Sequence, residues 1–269
     1  MRIAIPTIIA PRRQTARLLT VDRAVRLTPN MIRVTFAGPE LAGLTPGIEG
    51  AHCKILLPAE GQDRAAFAKQ LRDGPRPVRR TYTIRHLRTE PSEMDIDFVA
   101  HGDEGPASAW AHRAEAGSFC GFAGPGSGKI KSFYADWYLV AADMSALPLA
   151  AATLEAMPHN AVGAAVIEVL TEEDRQHIDA PPGIDIHWLI QPDPKTRSFA
   201  QEALVRSLPW RHGIVQVCIA GESGVIRSFR EFVYTQQRVP KQDTYISGYW
   251  KIGLVEDEHQ EQKRRGTAG

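Results

Sequence analysis

Arg80-Thr81-Tyr82-Thr83-Ile84-Arg85 puts a cation, an aromatic ring and two hydroxyls on one predicted strand. Side chains alternate along a strand, so Arg80 and Tyr82 share one face and Thr81 and Thr83 the other. This strand is flanked by others of its kind, at residues 16–27, 31–36, 51–57, 94–101 and 119–123. In the 94–101 segment Met94, Ile96, Phe98 and Ala100 alternate with Asp95, Asp97 and Val99, the period of a strand with one buried face. Short strands punctuated by Gly and Pro, such as Thr28-Pro29-Asn30 and Gly124-Pro125-Gly126, point to a closed or nearly closed antiparallel barrel. The charged stretch 60–79, ending Asp73-Gly74-Pro75-Arg76-Pro77, reads as a surface excursion between two barrel strands.

The pattern changes at Trp137-Tyr138-Leu139-Val140-Ala141-Ala142, a continuous apolar run suited to a strand buried on both faces. Further apolar runs at 163–170, 184–190 and 214–220 alternate with helical stretches at 145–157, 197–207 and 225–236. Strands alternating with helices imply a parallel sheet with crossover helices. The division falls near residue 133: a barrel over 1–132, then an α/β domain with a charged tail over 133–269.

The net charge of +1 gives no overall field that would mark a nucleic-acid binder. No run approaches the roughly 20 apolar residues of a membrane span. Cys53, Cys120 and Cys218 are too few and too scattered for a four-thiolate iron–sulfur cluster or a disulfide framework. They read as core thiols of a cytoplasmic protein, and the nine histidines show no metal-ligand spacing. If this protein handles electrons, an organic cofactor carries them.

His101-Gly102-Asp103-Glu104-Gly105-Pro106-Ala107-Ser108-Ala109-Trp110-Ala111 leaves a strand and enters a helix. The turn at Gly105-Pro106 leaves the backbone N–H groups of Ala107 and Ser108 at a helix start, an anion site suited to a pyrophosphate. An anion site about twenty residues after a strand bearing Arg and Tyr suggests a flavin dinucleotide: a cation for phosphate, a ring beside the isoalloxazine, a hydroxyl near its polar edge. Together with Gly124-Pro125-Gly126 and the late Gly248-Tyr249-Trp250-Lys251-Ile252-Gly253, these segments resemble the siderophore-interacting protein family. Those are FAD-dependent ferric-siderophore reductases of the ferredoxin-reductase-like superfamily, and the likeness runs nearly the whole chain. It implies a six-stranded antiparallel Greek-key FAD-binding barrel followed by a parallel-sheet nicotinamide-type domain. It also implies that Arg80 pairs with flavin phosphate, Tyr82 packs on the isoalloxazine, Thr83 lies near its polar edge, and His101 sits beside it. Ser118 departs from the Asp usual there.

Ala142-Asp143-Met144-Ser145-Ala146-Leu147-Pro148 resembles the same family's motif after the first buried strand, and Ser145 is expected to cap the helix that follows. Asp143, Ser145, Ala146 and Glu222, all at strand ends of the α/β domain, are candidates on the nicotinamide side. In Thr171-Glu172-Glu173-Asp174-Arg175, acidic groups favour a free ribose hydroxyl whereas Arg175 favours a 2′-phosphate. The resemblance tips the donor toward NADPH over NADH, with a ferredoxin-like partner as the other source. Lys54, a lone charge in an apolar strand, and Lys251 are candidates for an anionic ferric siderophore, with Lys129 and Lys131 adding to the patch. No catalytic acid, base or nucleophile is expected, and the chain is read as a monomer. The competing readings are a general flavin oxidoreductase and a non-catalytic siderophore-binding module.

Overall fold

The computed structural model describes residues 16–101, 105–126, 132–254 and 258. The first half holds β1 (Arg17–Thr28), β2 (Met31–Ala37), β3 (His52–Leu57), β4 (Val78–Thr89), β5 (Ser92–Val99) and β6 (Phe119–Ala123). They close a barrel in the order β1-β2-β5-β4-β3-β6, with every neighbouring pair antiparallel. Strands β3 to β6 lie in the spatial order β6-β3-β4-β5, a Greek key. Met94, Ile96 and Phe98 of β5 are fully buried inside with Val34, Phe36, Ile55, Ile84 and Phe122.

Asp95 and Asp97, which alternate with those core positions, are only 3% and 4% exposed. Buried carboxylates must be paired, and these are. Arg33 grips Asp97 with two bonds of 2.7 Å. Asp95 accepts from Thr35 at 2.7 Å and from Arg88 at 2.8 and 2.9 Å, with His86 Nδ1 at 2.9 Å. Burial pushes the Asp95 carboxyl up, but the bonds from His86, Arg88 and Thr35 outweigh it and hold the group well below the usual carboxylate range.

The 60–79 excursion is not a bare loop. It contains α1 (Arg64–Asp73), capped by Asp63, whose carboxylate accepts from Ala66 N at 2.9 Å. Phe67 is fully buried and meets Phe119 at 5.8 Å between ring centroids. Leu71 lies over Gly121, where an added Cβ would come within 2.9 Å of its Cδ2. Two apolar anchors thus seat the helix on the outside of the barrel; their signal is drowned in the sequence by the surrounding charges.

The second half is β7 (Trp137–Ala142), α3 (Leu147–Glu155), β8 (Val162–Val169), β9 (Gly183–Ile190), α4 (Ala200–Ser207), β10 (Val215–Glu222), α5 (Ser223–Glu231) and β11 (Thr244–Trp250). The sheet is parallel, in the order β11-β10-β7-β8-β9. It has five strands, not the four expected from apolar runs; β11 is a half-buried edge strand and so has no continuous apolar run. The strand order reverses between β7 and β10, which makes that pair the topological switch point. The predicted helix at 225–236 is split, since α5 gives way to a π-turn at Phe232–Gln236.

The two halves are welded together. Residues 147–154 of α3 are buried all round, as expected of a helix packed between a sheet and a barrel wall. At its last turn Glu155 receives both terminal nitrogens of Arg85 of β4 at 2.6 Å. Met31 of the barrel belongs to the apolar cluster that α3 forms with the sheet. Asp174, fully buried, accepts from Thr28 Oγ1 at 2.7 Å and from Asn30 N and Nδ2 at 2.9 and 2.8 Å. The acidic run at 171–175 is therefore not an open ribose-facing set: its buried member bolts the domains, and Arg175 pairs with Glu172 at 2.7 Å.

Asp174→Ala strands several buried donors and is expected to cost about 2–4 kcal/mol, read from urea denaturation. For Asp174, too, burial pushes the pKa up, while bonds from Asn30 and Thr28 bring it below the ordinary value. Groups with depressed folded-state pKa values contribute stability that is complete above the unfolded value and lost as pH falls through the folded one. Thermal stability should therefore drop below about pH 4, and a melting temperature unchanged from pH 7 to pH 3 would contradict this.

Candidate functional site

Antiparallel pairing fixes which way β4 presents its side chains. Tyr82 stands opposite Cys53 and Arg80 opposite Ile55, both core residues; Thr81 stands opposite Lys54 and Thr83 opposite His52. The predicted split of the Arg80–Thr83 quartet between two faces is thus the one observed. Tyr82 is half-buried, with one side of its ring on Phe98 at 4.2 Å. On the outer face Lys54 Nζ donates to the Thr81 hydroxyl. Thr83 is buried, and its side chain lies against the Tyr249 phenol on β11. Burial pushes the Tyr249 phenol well above its usual range, and neighbouring Tyr245 adds to the effect. Burial likewise pushes the Cys53 thiol up to about 12, so it stays a protonated core group.

The helix expected after Gly105 is α2 (Pro106–Arg113). No side chain caps its start, and Pro106 occupies the first turn. The leading N–H groups of a helix lack intrahelical partners, and no side chain takes up those of Ala107 and Ser108 at this start. The Ser108 hydroxyl is turned inward and accepts from His101 N at 3.2 Å. The His101 ring packs over Gly105, where a Cβ would lie 2.6 Å from its Cε1. His52 packs the same way on Gly126, whose N donates to the His52 carbonyl at 2.8 Å.

The carboxyl edge of the sheet is built differently from the sequence reading. Ser145 does not cap α3, whose N-cap is Ala146 with no side-chain bond; Asp143 instead closes the turn that leads into it. Its Oδ1 accepts from Ser145 N at 2.9 Å, Ser145 Oγ at 2.6 Å and Ala146 N at 3.2 Å. The Ser145 hydroxyl therefore serves Asp143 rather than the helix. Burial raises the Asp143 pKa, partly offset by these bonds. Glu222, 8% exposed, caps α5 by accepting from Gly224 N at 2.6 Å and Val225 N at 3.0 Å. Lys251 follows β11 and is half-buried. Glu168, passed over in the sequence, lies near the carboxyl end of β8 with one buried oxygen lacking a partner. Burial raises its pKa, and nearby Asp143 adds to the rise. The signal for it was present, a single charge in the apolar strand Val162–Val169.

Residues Arg80 to Thr83, Lys54 and the β11 end come together through the Thr83–Tyr249 contact. Lys129 and Lys131 lie outside the described residues, as do Gly102, Asp103 and Glu104. A cavity of about 360 Å³ opens at the opposite end of the sheet, lined by Trp210, Arg211, Arg238 and Asp243, far from these groups. The donor set fits FAD: an uncapped helix start for pyrophosphate, a glycine cradle that a Cβ would fill, a guanidinium, an aromatic ring and paired hydroxyls.

Comparison with known proteins agrees with this geometry. The model of the siderophore-interacting FAD-binding domain matches residues 20–129, and that of the siderophore-interacting protein matches 135–253. Ferric vibriobactin reductase ViuB of Vibrio cholerae is 33% identical over 256 residues, covering 92% of this chain and 93% of its own. The NADPH-dependent ferric-chelate reductase of Escherichia coli K12 is 29% identical over 254 residues, covering 87% of this chain and 92% of its own. The crystal structure of the siderophore-interacting protein SipS from Aeromonas hydrophila superposes with a TM-score of 0.81 at 32% identity, covering 95% of this chain and 99% of that one. With both of its domains matched in order, this chain belongs to the siderophore-interacting protein family.

Proposed function

We propose that this chain is a reductase that converts Fe(III) in an anionic siderophore to Fe(II), with FAD held on the barrel and NADPH as electron donor. The observation that carries the reading is the β3–β4 face, where Lys54 stands against Thr81 beside the Arg80–Thr83 quartet and within the same assembly as the sheet's β11. The names of relatives, ferric vibriobactin reductase and NADPH-dependent ferric-chelate reductase, support the acceptor and the donor. Bound there, FAD supplies the change from two-electron donor to one-electron delivery.

The chain's own residues bind and orient. Arg80 and the N–H groups of Ala107 and Ser108 hold phosphate, with Gly105 letting the backbone approach. Tyr82 and His101 flank the ring system, and Thr81 and Thr83 offer hydroxyls at its edge. Lys54 and Lys251 attract the chelate. Asp143, Ser145, Ala146 and Glu222 shape the donor's edge of the sheet. No side chain has to move a proton at iron, because hard oxygen ligands let the softer, more labile Fe(II) go once it forms. Among the described residues no helix is long and apolar enough to cross a membrane, and the free, buried cysteines suit a reducing compartment. The proposal sets the reaction in the cytoplasm, and takes the chain as a monomer with NADH or a ferredoxin as subordinate donors.

Purified protein is expected to be yellow, to bleach anaerobically with NADPH, and to regain colour with a ferric siderophore while a ferrous trap reports Fe(II). A colourless protein, or colour that the chelate never restores, contradicts the proposal. Lys54→Ala is expected to raise KM for an anionic ferric chelate about tenfold, the worth of one charge-assisted contact. A neutral acceptor should be nearly unaffected; equal losses for both would favour a general flavin oxidoreductase.

A further inference from the structure

The β10–β11 ladder runs in register from Val217 opposite Thr244 to Gly221 opposite Gly248, then slips so that Glu222 faces Trp250. Tyr249 is the extra residue of this bulge. A bulge re-aims the side chains around it, and here two aromatic groups are sent in different directions. Tyr249 meets Thr83 of the barrel. Trp250 reaches over the end of β10 to the end of β7, where its Nε1 donates to Asp143 Oδ2 at 2.7 Å.

Room for that crossing comes from Gly221, which has φ +153° and whose added Cβ would stand 2.6 Å from Asp143 Oδ2. The segment is stitched down on both sides: Ser223 Oγ donates to the Trp250 carbonyl at 2.8 Å, and Ile252 N to Glu222 Oε1 at 3.3 Å. The carboxyl ends of β7 and β10 form the switch-point crevice in which open α/β sheets take their ligands. In this chain an indole spans it.

We infer that Trp250 is a specificity-determining residue of the donor crevice, holding Asp143 until a nicotinamide dinucleotide displaces it. The chemistry of the exchange is balanced. Withdrawing the indole alone would leave a half-buried carboxylate oxygen without its partner, which is disfavoured. A nicotinamide carboxamide carries the N–H that restores the bond, whereas a flavin-directed protein donor does not enter the crevice and meets no such barrier. Dinucleotide affinity is thus lowered by the cost of moving the indole. This inference rests on the proposed function only for the identity of the donor.

The test is titration of the flavin-loaded protein with NADP+, followed by calorimetry. Trp250→Phe keeps the apolar bulk but removes the N–H, and is expected to bind NADP+ about tenfold more tightly than the unaltered protein, as one hydrogen bond to a charged acceptor is no longer broken. Unchanged or weaker binding, or no binding to either protein, overturns the inference. Should the variant not fold, the unaltered protein decides. Among the indole N–H signals of its five tryptophans, one must shift as NADP+ saturates, and five stationary signals overturn the idea. Recovery of flavin colour by a ferric siderophore after photoreduction of the unaltered protein uses no dinucleotide. It reports on the proposed function separately.

Discussion

A guanidinium taken out of water must find carboxylates, and the position of Arg85 makes that requirement an architectural one. It stands on β4, 5% exposed, between Asp97 of the barrel at 4.0 Å and Glu155 at the end of α3 at 2.6 Å. Glu155 alone would sit badly at a helix C-terminus, where the helix dipole is negative; Arg85 turns that liability into a joint. Breaking such a pair leaves a buried charge uncompensated, so barrel and sheet keep one relative position. The contact between Thr83 and Tyr249 depends on it.

Much of this was legible in the sequence, and what escaped has a common cause. Alternation marked the core positions of β5, and continuous apolar runs marked β7, β8 and β10, because those patterns are local. The fate of Asp95 and Asp97 was not legible, since their partners, Arg33 and Thr35 on β2 and His86 and Arg88 on β4, lie on other strands. Asp174 was misread for the same reason: the groups it binds, Thr28 and Asn30, are 146 and 144 residues away. At the cofactor face, the Arg80–Thr83 alternation and the uncapped start at Gly105 were readable. The turn closed by Asp143 was not, because the hydroxyl of Ser145, a capping residue by type, is taken by its neighbour.

The two domains differ in the kind of polar group they carry at the candidate site. The barrel offers donors: a helix start without a cap, a guanidinium and an ammonium, all suited to anions. The sheet edge offers carboxylates, Asp143, Glu222 and Glu168, and the first two are already engaged by the chain's own backbone and indole. Under the proposed function the barrel side serves the anionic cofactor and chelate, and on the sheet side a neutral amide competes with groups already in place.

The barrel's closure also governs how the chain can change its length over generations. Strand β4 is hydrogen-bonded to β3 on one side and β5 on the other, so it has no free edge along which to slide. One residue gained or lost between Arg80 and Thr83 would exchange the two faces of the strand, exporting Tyr82 from the interior and importing Thr81. The turn after α1, at Gly74-Pro75-Arg76, is exposed and held mainly by Gln70, which donates to the Pro75 carbonyl at 3.0 Å. Length variation among descendants of this sequence should collect there, while the quartet a few residues onward is inherited as a unit.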